Sequence, residues 1–428
     1  MAGIPRAPGP DSTFALLREG YRFIPNRCRG LGSDLFETRL TLRKVVCISG
    51  PEAAEIFYGG ERFTRVGAMP NRVLALLQDR GSVQTLDGAA HRHRKRMFLS
   101  MMDPDARRRL GAIVERRWRE SVAAAGSGEI VLFGMARDVL TGSVCEWAGV
   151  PLSEDEIPAA TARFGAMIDN VATFGPKHWR ARLLRVRTER WMRREIERIR
   201  AREPSPAPGA AHRIAWHREP DGNLLDTATA AVELINVLRP TVANARFIVW
   251  SALALHRHPE WCARFASGDE TDLDGFVQEV RRLSPFFPFV GGRVREPFDW
   301  RGRRFRKGEW VLLDLYGTNR DGRSYANADQ FDPDRFRQRE PSAFDLVPQG
   351  GGQHETSHRC PGEWLTIDLM KTAVRLLTRE MRFAVPPQDL SVALDRIPAL
   401  PKSGFVMADV RPIPDAAPDQ AAGPRSRP

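Results

Sequence analysis

The segment ELINVLRPTVANARF, from Glu233 to Phe247, has the apolar content of a buried helix but contains two residues that such a helix normally excludes. Arg239 places a permanent charge in the apolar pattern, and Pro240 lacks the N–H that an interior helical residue donates. An interior proline costs about 3 kcal/mol, and an unpaired buried charge costs several kcal/mol more. A chain that keeps both residues side by side must give them a partner or a function.

The composition is that of a globular protein with a large core, because 42% of the 428 residues are hydrophobic and 28% are charged. No run of about 18 apolar residues occurs, so we expect no membrane-spanning helix. The first residues lack the apolar segment of a secretory signal, and we expect a cytoplasmic protein. The five cysteines are scattered and form no CxxC pair, which argues against a disulfide framework and a structural zinc site.

The net charge of +12 is compatible with a nucleic-acid partner, but the distribution of charge argues against one. In the segment RTERWMRREIERIRARE, residues 187–203, arginines and glutamates alternate at helical spacing. This pattern is typical of a solvated helix face. Because no nucleic-acid motif accompanies the charge, we expect no nucleic-acid partner.

Apolar periodicity predicts a mainly α protein with a small β region. The predicted helices are 103–125, 153–171, 179–202, 225–256, 273–283 and 364–380. Alternating β-branched residues predict strands within 34–50 and a hairpin within 292–317.

Three segments lack periodicity. We expect flexible ends at 1–12 and in the Pro- and Ala-rich tail 412–428, and a loop at 203–223. No composition shift marks a boundary between them, so residues 13–411 are predicted to form a single domain.

The strongest chemical signal is a glycine-rich stretch, residues 350–352, followed by Cys360 and an amphipathic helix. A cysteine just before a helix lies near backbone donors and the positive end of the helix dipole, which favour the metal-binding thiolate. Gly362 leaves room for a flat ligand against the backbone. From this chemistry alone, an inert loop cysteine is an equal alternative. Zinc held by Cys360, His354 and His358 is a weaker one, because no fourth ligand is near.

The sequence GGGQHETSHRCPGE resembles the haem-binding loop of the cytochrome P450 superfamily. Two other motifs stand in that family's order, EVRR with Glu279 and Arg282, and FDPDRF with Arg335, whose family role is a structural ion cluster. Before the first glycine, Val-Pro-Gln at 347–349 replaces the usual phenylalanine region. That form resembles the fatty-acid peroxygenases, bacterial enzymes that hydroxylate or decarboxylate long-chain fatty acids with hydrogen peroxide. The resemblance covers nearly the whole chain.

The resemblance implies a cytochrome P450 fold, with haem b buried between a long central helix and the cysteine-bearing loop. Cys360 would then be the axial thiolate ligand of the haem iron. Arg65, His91 and Lys95 match the family's haem contacts, and Gly362 would lie against the flat ligand.

In oxygen-using members of the superfamily, an acid–alcohol pair occupies the helix above the haem, where this chain has Arg239 and Pro240. The planar guanidinium of Arg239 suits a carboxylate, and Pro240 opens the helix beside the haem. We expect Arg239 to hold a fatty-acid carboxylate that acts as general acid–base toward hydrogen peroxide, so that oxidation falls on the α or β carbon. The alternative is that Arg239 pairs with Glu233 and that Pro240 is only a kink.

Gln84 matches a position that is Gln in hydroxylating relatives and His in an alkene-forming one. Glutamine does not titrate, so Gln84 favours hydroxylation, although a simple pocket wall is the competing interpretation. Phe289 and Val290 match substrate-channel residues, with a generic core role equally open.

The predicted enzyme is a peroxide-dependent fatty-acid hydroxylase with no obligatory redox partner, and Arg239, Pro240 and Gln84 form its catalytic group. The alternatives are a decarboxylase giving terminal alkenes, a reductase-dependent haem-thiolate monooxygenase, and a non-catalytic haem carrier. The sequence does not determine the preferred chain length or the ratio of α to β product.

Overall fold

In a computed structural model, the structure describes residues 4–79, 81–126, 128–202 and 209–413. Helices take up 52% of the described residues, whose strands form three small sheets, and this confirms the mainly α prediction. The helices of the described chain are α1 (Thr13–Glu19), α2 (Phe23–Leu31), α3 (Pro51–Tyr58), α4 (Asn71–Leu77), α5 (Gly88–Ser100), α6 (Pro104–Ala125), α7 (Leu132–Ala148), α8 (Ile157–Asp169), α9 (Pro176–Arg200), α10 (Ala210–Ala215), α11 (Thr227–Ala243), α12 (Ala245–Arg257), α13 (Pro259–Ala266), α14 (Leu273–Leu283), α15 (Leu315–Thr318), α16 (Arg335–Gln338) and α17 (Glu363–Arg375). The strands are β1 (Leu35–Leu40), β2 (Arg43–Ile48), β3 (Phe63–Thr64), β4 (Ile130–Val131), β5 (Phe289–Val294), β6 (Phe298–Trp300), β7 (Arg303–Phe305), β8 (Trp310–Asp314), β9 (Met381–Ala384) and β10 (Val406–Pro412).

The largest sheet has the order β1-β2-β8-β5-β3. β1 and β2 form an antiparallel hairpin within 34–50, with Leu35 opposite Ile48, and β2 then runs parallel to β8. β5 and β8 pair antiparallel, with Val290 opposite Leu313. The hairpin predicted within 292–317 is formed by β6 and β7, with Trp300 opposite Arg303. Both predicted strand regions are therefore confirmed.

Most predicted helices are found within a few residues of their expected ends, because their terminal signals are local. For α6, the side chain of Asp103 accepts a hydrogen bond from the backbone N–H of Ala106 and Pro104 occupies the first turn. The prediction of one helix over 225–256 is wrong, since α11 and α12 are separated by a turn at Asn244. α7 was not predicted, since most of it is apolar on all sides and shows no clear amphipathic period.

α11 is the central helix, and all of its residues from Ala230 to Arg239 are buried. It packs against α7, α8 and α9. Pro240 does not end the helix, which continues for three more residues. The hydroxyl of Thr241 donates to the carbonyl of Val237 over 2.9 Å and supports the turn that proline weakens.

The predicted flexible ends and loop need correction. Within 4–12, the N–H of Ala7 donates to the carbonyl of Glu37 over 2.9 Å, so this segment is paired with β1. Pro412 belongs to β10, and the predicted loop contains α10. Residues 1–3, 203–208 and 414–428 lie outside the described residues.

Tyr21 joins the beginning of the chain to two distant segments. Its hydroxyl donates to the carbonyl of Phe286 over 2.7 Å and accepts from the N–H of Ala399 over 3.3 Å. Its own N–H donates to the carbonyl of Leu394 over 3.0 Å. The N-terminal turn is thus anchored to residues near the end of the described chain.

None of the described helices combines the length and the apolar content needed to cross a bilayer.

Candidate active site

Arg239 is a buried cation without a counter-ion. Its Nη1 donates to the carbonyl of Leu76 over 3.0 Å and its Nη2 to Oδ1 of Asn236 over 3.4 Å. In the described part of the chain, no carboxylate lies within ion-pair distance of this guanidinium. Burial, with repulsion by Arg185, lowers the pKa of Arg239 to about 9. The site therefore bears the cost of desolvating a charge and contains no group that offsets it.

The alternative partner of Arg239, Glu233, is already engaged elsewhere. Its carboxylate accepts from Nη1 of Arg94 over 2.6 Å, from the N–H of Val83 over 2.8 Å and from Nδ2 of Asn236 over 2.9 Å. These three donors satisfy most of its capacity. An ion pair between Glu233 and Arg239 is thus excluded by the observed contacts.

A second buried arginine approaches the same backbone carbonyl. Nη1 of Arg185, on α9, donates to the carbonyl of Leu76 over 3.3 Å, and its Nη2 donates to that of Gln78 over 3.3 Å. Unlike Arg239, Arg185 has a carboxylate partner, Glu189, at 2.7 Å. The sequence does not indicate this role of Arg185, because the contact joins residues more than 100 positions apart.

Gln84 lies in a short 3₁₀ turn and is connected to Arg239 through one residue. Its Oε1 accepts from the hydroxyl of Ser82 over 2.9 Å and from Nδ2 of Asn236 over 3.2 Å. Asn236 in turn accepts from Arg239. The structure therefore brings the predicted pair Gln84 and Arg239 into one network, with Asn236 as an unpredicted member.

Pro240 follows Arg239 and is half-buried, whereas the residues on both sides of it are buried. Because proline has no N–H, the carbonyl of Asn236 does not receive the usual helical hydrogen bond at this position. The helix is thus partly open beside the guanidinium.

The cysteine-bearing loop ends at the N-terminus of α17. The N–H of Cys360 donates to the carbonyl of Gln349 over 3.1 Å, which folds the loop back on itself. A Cβ atom at Gly362 would lie 3.6 Å from Sδ of Met102 and 3.9 Å from Sγ of Cys360, both ordinary van der Waals contacts. Glycine leaves this space beside the sulfur open.

The pKa of the Cys360 thiol is raised to about 11, chiefly by burial and then by the nearby charge of Glu363. The N–H of Gly362, together with Lys95 and Arg281, acts in the opposite direction but is outweighed. The predicted effect of the helix end is therefore present but too small to ionise the thiol. A bound metal cation, which deprotonates a coordinating thiol outright, would reverse this balance.

A zinc site at this loop is not supported. Among the residues that the structure describes, no group of three His, Cys, Asp or Glu side chains is placed to hold a metal ion. All five cysteines are free, which agrees with the expected absence of disulfides.

Basic side chains meet on α5 and the cysteine loop. The rings of His91 and His358 lie 3.9 Å apart between centroids. Nζ of Lys95 donates to the carbonyls of Ser357 and Arg359 over 2.5 and 2.7 Å. His91 and Lys95 thus lie beside the loop, with His358 as a further member that the sequence did not indicate.

Burial lowers the pKa of every member of this basic cluster, which we define as Arg65, His91, Lys95 and His358. The pKa falls to about 4 for His91, where repulsion by Lys95 and Arg65 adds to the effect of burial. For Lys95 the pKa falls to about 8 through burial, although the nearby Cys360 acts in the opposite direction. The pKa values of Arg65 and His358 are also lowered. Within the described ranges, none of the four forms an ion pair with an acid. The donor set therefore fits an anionic group bound next to the thiol.

The comparisons with known proteins agree with this geometry. The family model described as Cytochrome P450 matches residues 272–407. The structure titled "Cytochrome P450EX alpha (CYP152N1) wild-type with myristic acid" superposes with a TM-score of 0.92 and 40% identity, covering 96% of this chain and 100% of that one. The chain belongs to the cytochrome P450 superfamily. Its place is in the fatty-acid peroxygenase branch, and its cofactor is haem b with a cysteine thiolate ligand.

Two further matches differ in how much of this chain they cover. A single-residue variant of cytochrome P450 OleT, solved in complex with arachidonic acid, has a TM-score of 0.92 and 30% identity, covering 97% of this chain and 100% of that one. Rhazimal synthase of Alstonia scholaris is 28% identical over 173 residues. That match spans only 34% of each of the two chains.

The P450 chain separates the two predicted channel residues. Phe289 packs with the cluster around Phe36 and Trp310, whereas Val290 packs with the cluster around Phe57. Neighbouring residues of a strand face opposite sides of the sheet, so both side chains cannot line one wall. A substrate contact by Phe289 or by Val290 stays a prediction.

The ion cluster of the P450 fold is fully formed. Glu279 is bound by Nε and Nη2 of Arg282, each at 2.7 Å, and by Nε of Arg335 at 3.2 Å. Arg282 also donates to the carbonyls of Asn319 and Ala328, which lie in the segment before the cysteine loop. The cluster thus holds the loop region against α14.

Substitution of Glu279 by alanine is expected to lower the free energy of unfolding by about 3–5 kcal/mol, because two buried guanidiniums lose their only shared carboxylate. Chemical denaturation of the haem-loaded protein measures this. Glu61→Ala is the control, since Glu61 is exposed and its pairs with Arg92 and Arg295 contribute little. Equal losses of unfolding free energy in Glu279→Ala and Glu61→Ala would show that the cluster contributes no more to stability than an exposed ion pair.

Proposed function

We propose that this P450 hydroxylates long-chain fatty acids at the α carbon, and to a lesser extent the β carbon, with hydrogen peroxide as oxidant. The observation that carries the proposal is the buried guanidinium of Arg239, which has no carboxylate partner in the described chain. The relatives P450EX alpha and OleT were solved with fatty acids, whose carboxylate is the counter-ion that Arg239 needs. The overall reaction is R–CH2–COOH + H2O2 → R–CHOH–COOH + H2O.

The proposed cofactor contacts come from the cysteine loop, from α5 and from Arg65, which follows β3. Cys360 would ligate the iron, and Gly362 leaves the space beside its sulfur open. Arg65, His91 and Lys95 would bind the propionates, which would offset the buried charge of the basic cluster. When bound, thiolate-ligated haem supplies the cleavage of the O–O bond of peroxide.

Arg239 fixes the substrate. A guanidinium has five N–H donors, of which two already bind Leu76 and Asn236, so that three remain for a carboxylate. A bidentate pair holds the carboxylate in one orientation and leaves the α carbon as the first carbon beyond it. The carbon that is oxidised is then set by the position of the Arg239 guanidinium, here called the clamp.

The bound carboxylate is the mobile base and acid of the site. It accepts a proton from one oxygen of hydrogen peroxide and returns it to the other oxygen, which leaves as water. The network of Gln84, Asn236 and Arg239 contains no group that titrates near neutral pH, so the chain itself does not compete for this proton. Pro240 leaves the helix open where the carboxylate lies.

Peroxide supplies both oxidising equivalents of this reaction, and we therefore propose that no reductase is obligatory. The same proposal treats residues 13–411 as one catalytic unit without a nucleic-acid partner. The cytoplasm as its location stays a prediction.

Product analysis tests the proposal. Haem-loaded protein is incubated with myristic acid and hydrogen peroxide, without NADPH or reductase, and products are identified by mass spectrometry. We expect 2-hydroxymyristate, with methyl myristate left unreacted because the ester has no carboxylate to bind Arg239. Equal conversion of acid and ester, or turnover that requires a reductase, would contradict the proposal.

Decarboxylation is the second candidate, because it needs the same clamp: R–CH2–CH2–COOH + H2O2 → R–CH=CH2 + CO2 + 2 H2O. Gln84 is the residue that we expect to suppress it. Gln84→His places a titratable group in the network with Asn236, and we expect the alkene fraction to rise severalfold. Gas chromatography of the products measures this fraction.

Gln84→Asn is the matched control, since it shortens the side chain without adding a titratable group. If both variants change the alkene fraction equally, Gln84 acts only as part of the pocket wall.

A further inference from the structure

The first half of α9 exposes an apolar stripe to solvent. Trp179, Leu183 and Val186 are spaced four and three residues apart, so they lie on one face of the helix. Trp179 is 64% exposed, and Phe174, just before the helix, is 57% exposed. Contiguous apolar groups of this kind on a protein surface mark interaction sites.

Cations border this stripe. Among exposed residues of the first 19 positions of α9, the charged ones are all basic: Lys177, Arg180, Arg182, Arg187, Arg190, Arg193 and Arg194. The ion pairs of α9 in the described chain join Arg185 to Glu189 and Arg198 to Glu195, so none of these seven is neutralised. Residues 187–203 were interpreted as a solvated face of balanced charge, but four of these seven cations lie within that range.

We propose that the face formed by Phe174, Trp179, Leu183 and Val186 with these seven cations, here called the α9 face, docks on the surface of an anionic lipid bilayer. A helix with Trp and Leu on one stripe and Lys or Arg beside it lies in the interface between lipid headgroups and acyl chains. Each basic residue near an anionic bilayer adds to binding. The apolar stripe matches the acyl layer of such a surface, and the unpaired cations match its anionic headgroups.

A second copy of the chain is a poorer occupant. In a two-fold dimer the same patch would meet itself, so seven unpaired cations would face seven others. An anionic bilayer offers the opposite charge and an apolar layer at once.

The opposite side of α9 reaches the proposed substrate clamp. Arg185, directly before Val186, binds the Leu76 carbonyl that also accepts from Arg239. The guanidinium of Arg72, on the same α4 helix as Leu76, lies 3.9 Å from the ring of Phe174. The α9 face therefore borders α4, whose Leu76 carbonyl accepts from the clamp residue Arg239, and docking would deliver fatty acids partitioned in a bilayer. This part of the inference rests on the proposed function, whereas docking itself does not.

Vesicle co-sedimentation of the haem-loaded full chain tests docking. Vesicles of phosphatidylcholine with and without phosphatidylglycerol are the probes, in the absence of fatty acid and peroxide. We expect binding to the anionic vesicles that weakens with salt and is at least tenfold weaker on neutral vesicles. The variants Arg180→Glu, Arg182→Glu and Arg187→Glu combined, and Trp179→Ser with Leu183→Ser, should each reduce binding at least tenfold.

Matched controls carry the same chemical changes elsewhere. Arg96, Arg108 and Arg109, on α5 and α6, are reversed together to glutamate, and Val131, an exposed apolar residue of β4, is changed to serine. Both controls should bind within twofold of the parent. Three results would each overturn the proposal. The first is an equal loss of vesicle binding in the control and α9 variants, and the second is equal binding to anionic and neutral vesicles. The third is self-association that the α9 variants lose, without any binding to vesicles.

The two proposals fail separately. Turnover of monomeric, dispersed myristic acid should be unchanged in the α9 variants, since they leave Arg239 and Cys360 intact. If neither the parent nor any α9 variant converts myristic acid, the proposed function is wrong. The conclusion from vesicle co-sedimentation is unaffected by that result.

Discussion

Replacement of Arg239 by methionine is expected to lower fatty-acid turnover by about 100-fold or more while raising the stability of the substrate-free protein. Turnover falls because the carboxylate loses the donors that orient it, and loss of one such preorganised donor typically costs about 100- to 1000-fold. Stability rises, on the order of 1 kcal/mol, because methionine fills similar space without a desolvated charge. The pKa of Arg239 is lowered to about 9, so the full cost of burying its charge is present below about that pH. The stability gained by Arg239→Met is therefore the same throughout the neutral range. Product quantification and thermal unfolding of one preparation measure both effects.

Arg246 provides a matched control for Arg239. It is also buried, lies on the next helix, and is paired with Asp169. Arg246→Met should destabilise the protein, because it leaves a partly buried carboxylate without this partner. If Arg239→Met were as destabilising as Arg246→Met, the unpaired charge of Arg239 would have a structural purpose and the clamp would lose its main support.

Replacement of Cys360 by serine is expected to abolish peroxide-dependent turnover and the absorption typical of thiolate-ligated haem. Loss of an outer hydrogen-bond partner of a metal ligand typically costs about 10- to 100-fold, and loss of the ligand itself should exceed that. The spectrum of the reconstituted variant and its turnover of myristic acid measure the two losses.

Cys145 is the control for this change, since it is a free, buried thiol on α7 whose pKa is also raised by burial. Cys145→Ser should keep the spectrum and the activity of the parent. A Cys360 variant that retains the thiolate spectrum would place the iron ligand elsewhere.

The features predicted correctly from sequence are those set by local signals or by a near-contiguous motif. α6 and α14 have clear periodicity and terminal residues, and the cysteine loop carries its chemistry within about a dozen positions. The uncompensated burial of Arg239 was also anticipated, because the surrounding apolar pattern extends on both sides of it. The functional roles assigned to these residues stay predictions until the variants are measured.

The features that were missed depend on contacts between distant segments. Nothing local indicates that the carbonyl of Leu76 accepts from both Arg185 and Arg239, since these three residues lie on α4, α9 and α11. The burial that raises the pKa of the Cys360 thiol is also set by the whole fold, whereas the helix end that lowers this pKa is visible in the sequence.

The contacts of Tyr21 affect the order in which parts of the chain can fold. Its hydroxyl binds the backbone at Phe286 and Ala399, so the 3₁₀ turn that contains Tyr21 cannot complete its packing until the chain has been synthesised beyond Ala399. The cysteine loop and α17 are synthesised before Leu394 and Ala399. Contacts of such long sequence separation form late and slow the final step of folding. We therefore expect cofactor capture during synthesis to precede this closure, with the nascent N-terminus as the segment most exposed to proteases in the meantime.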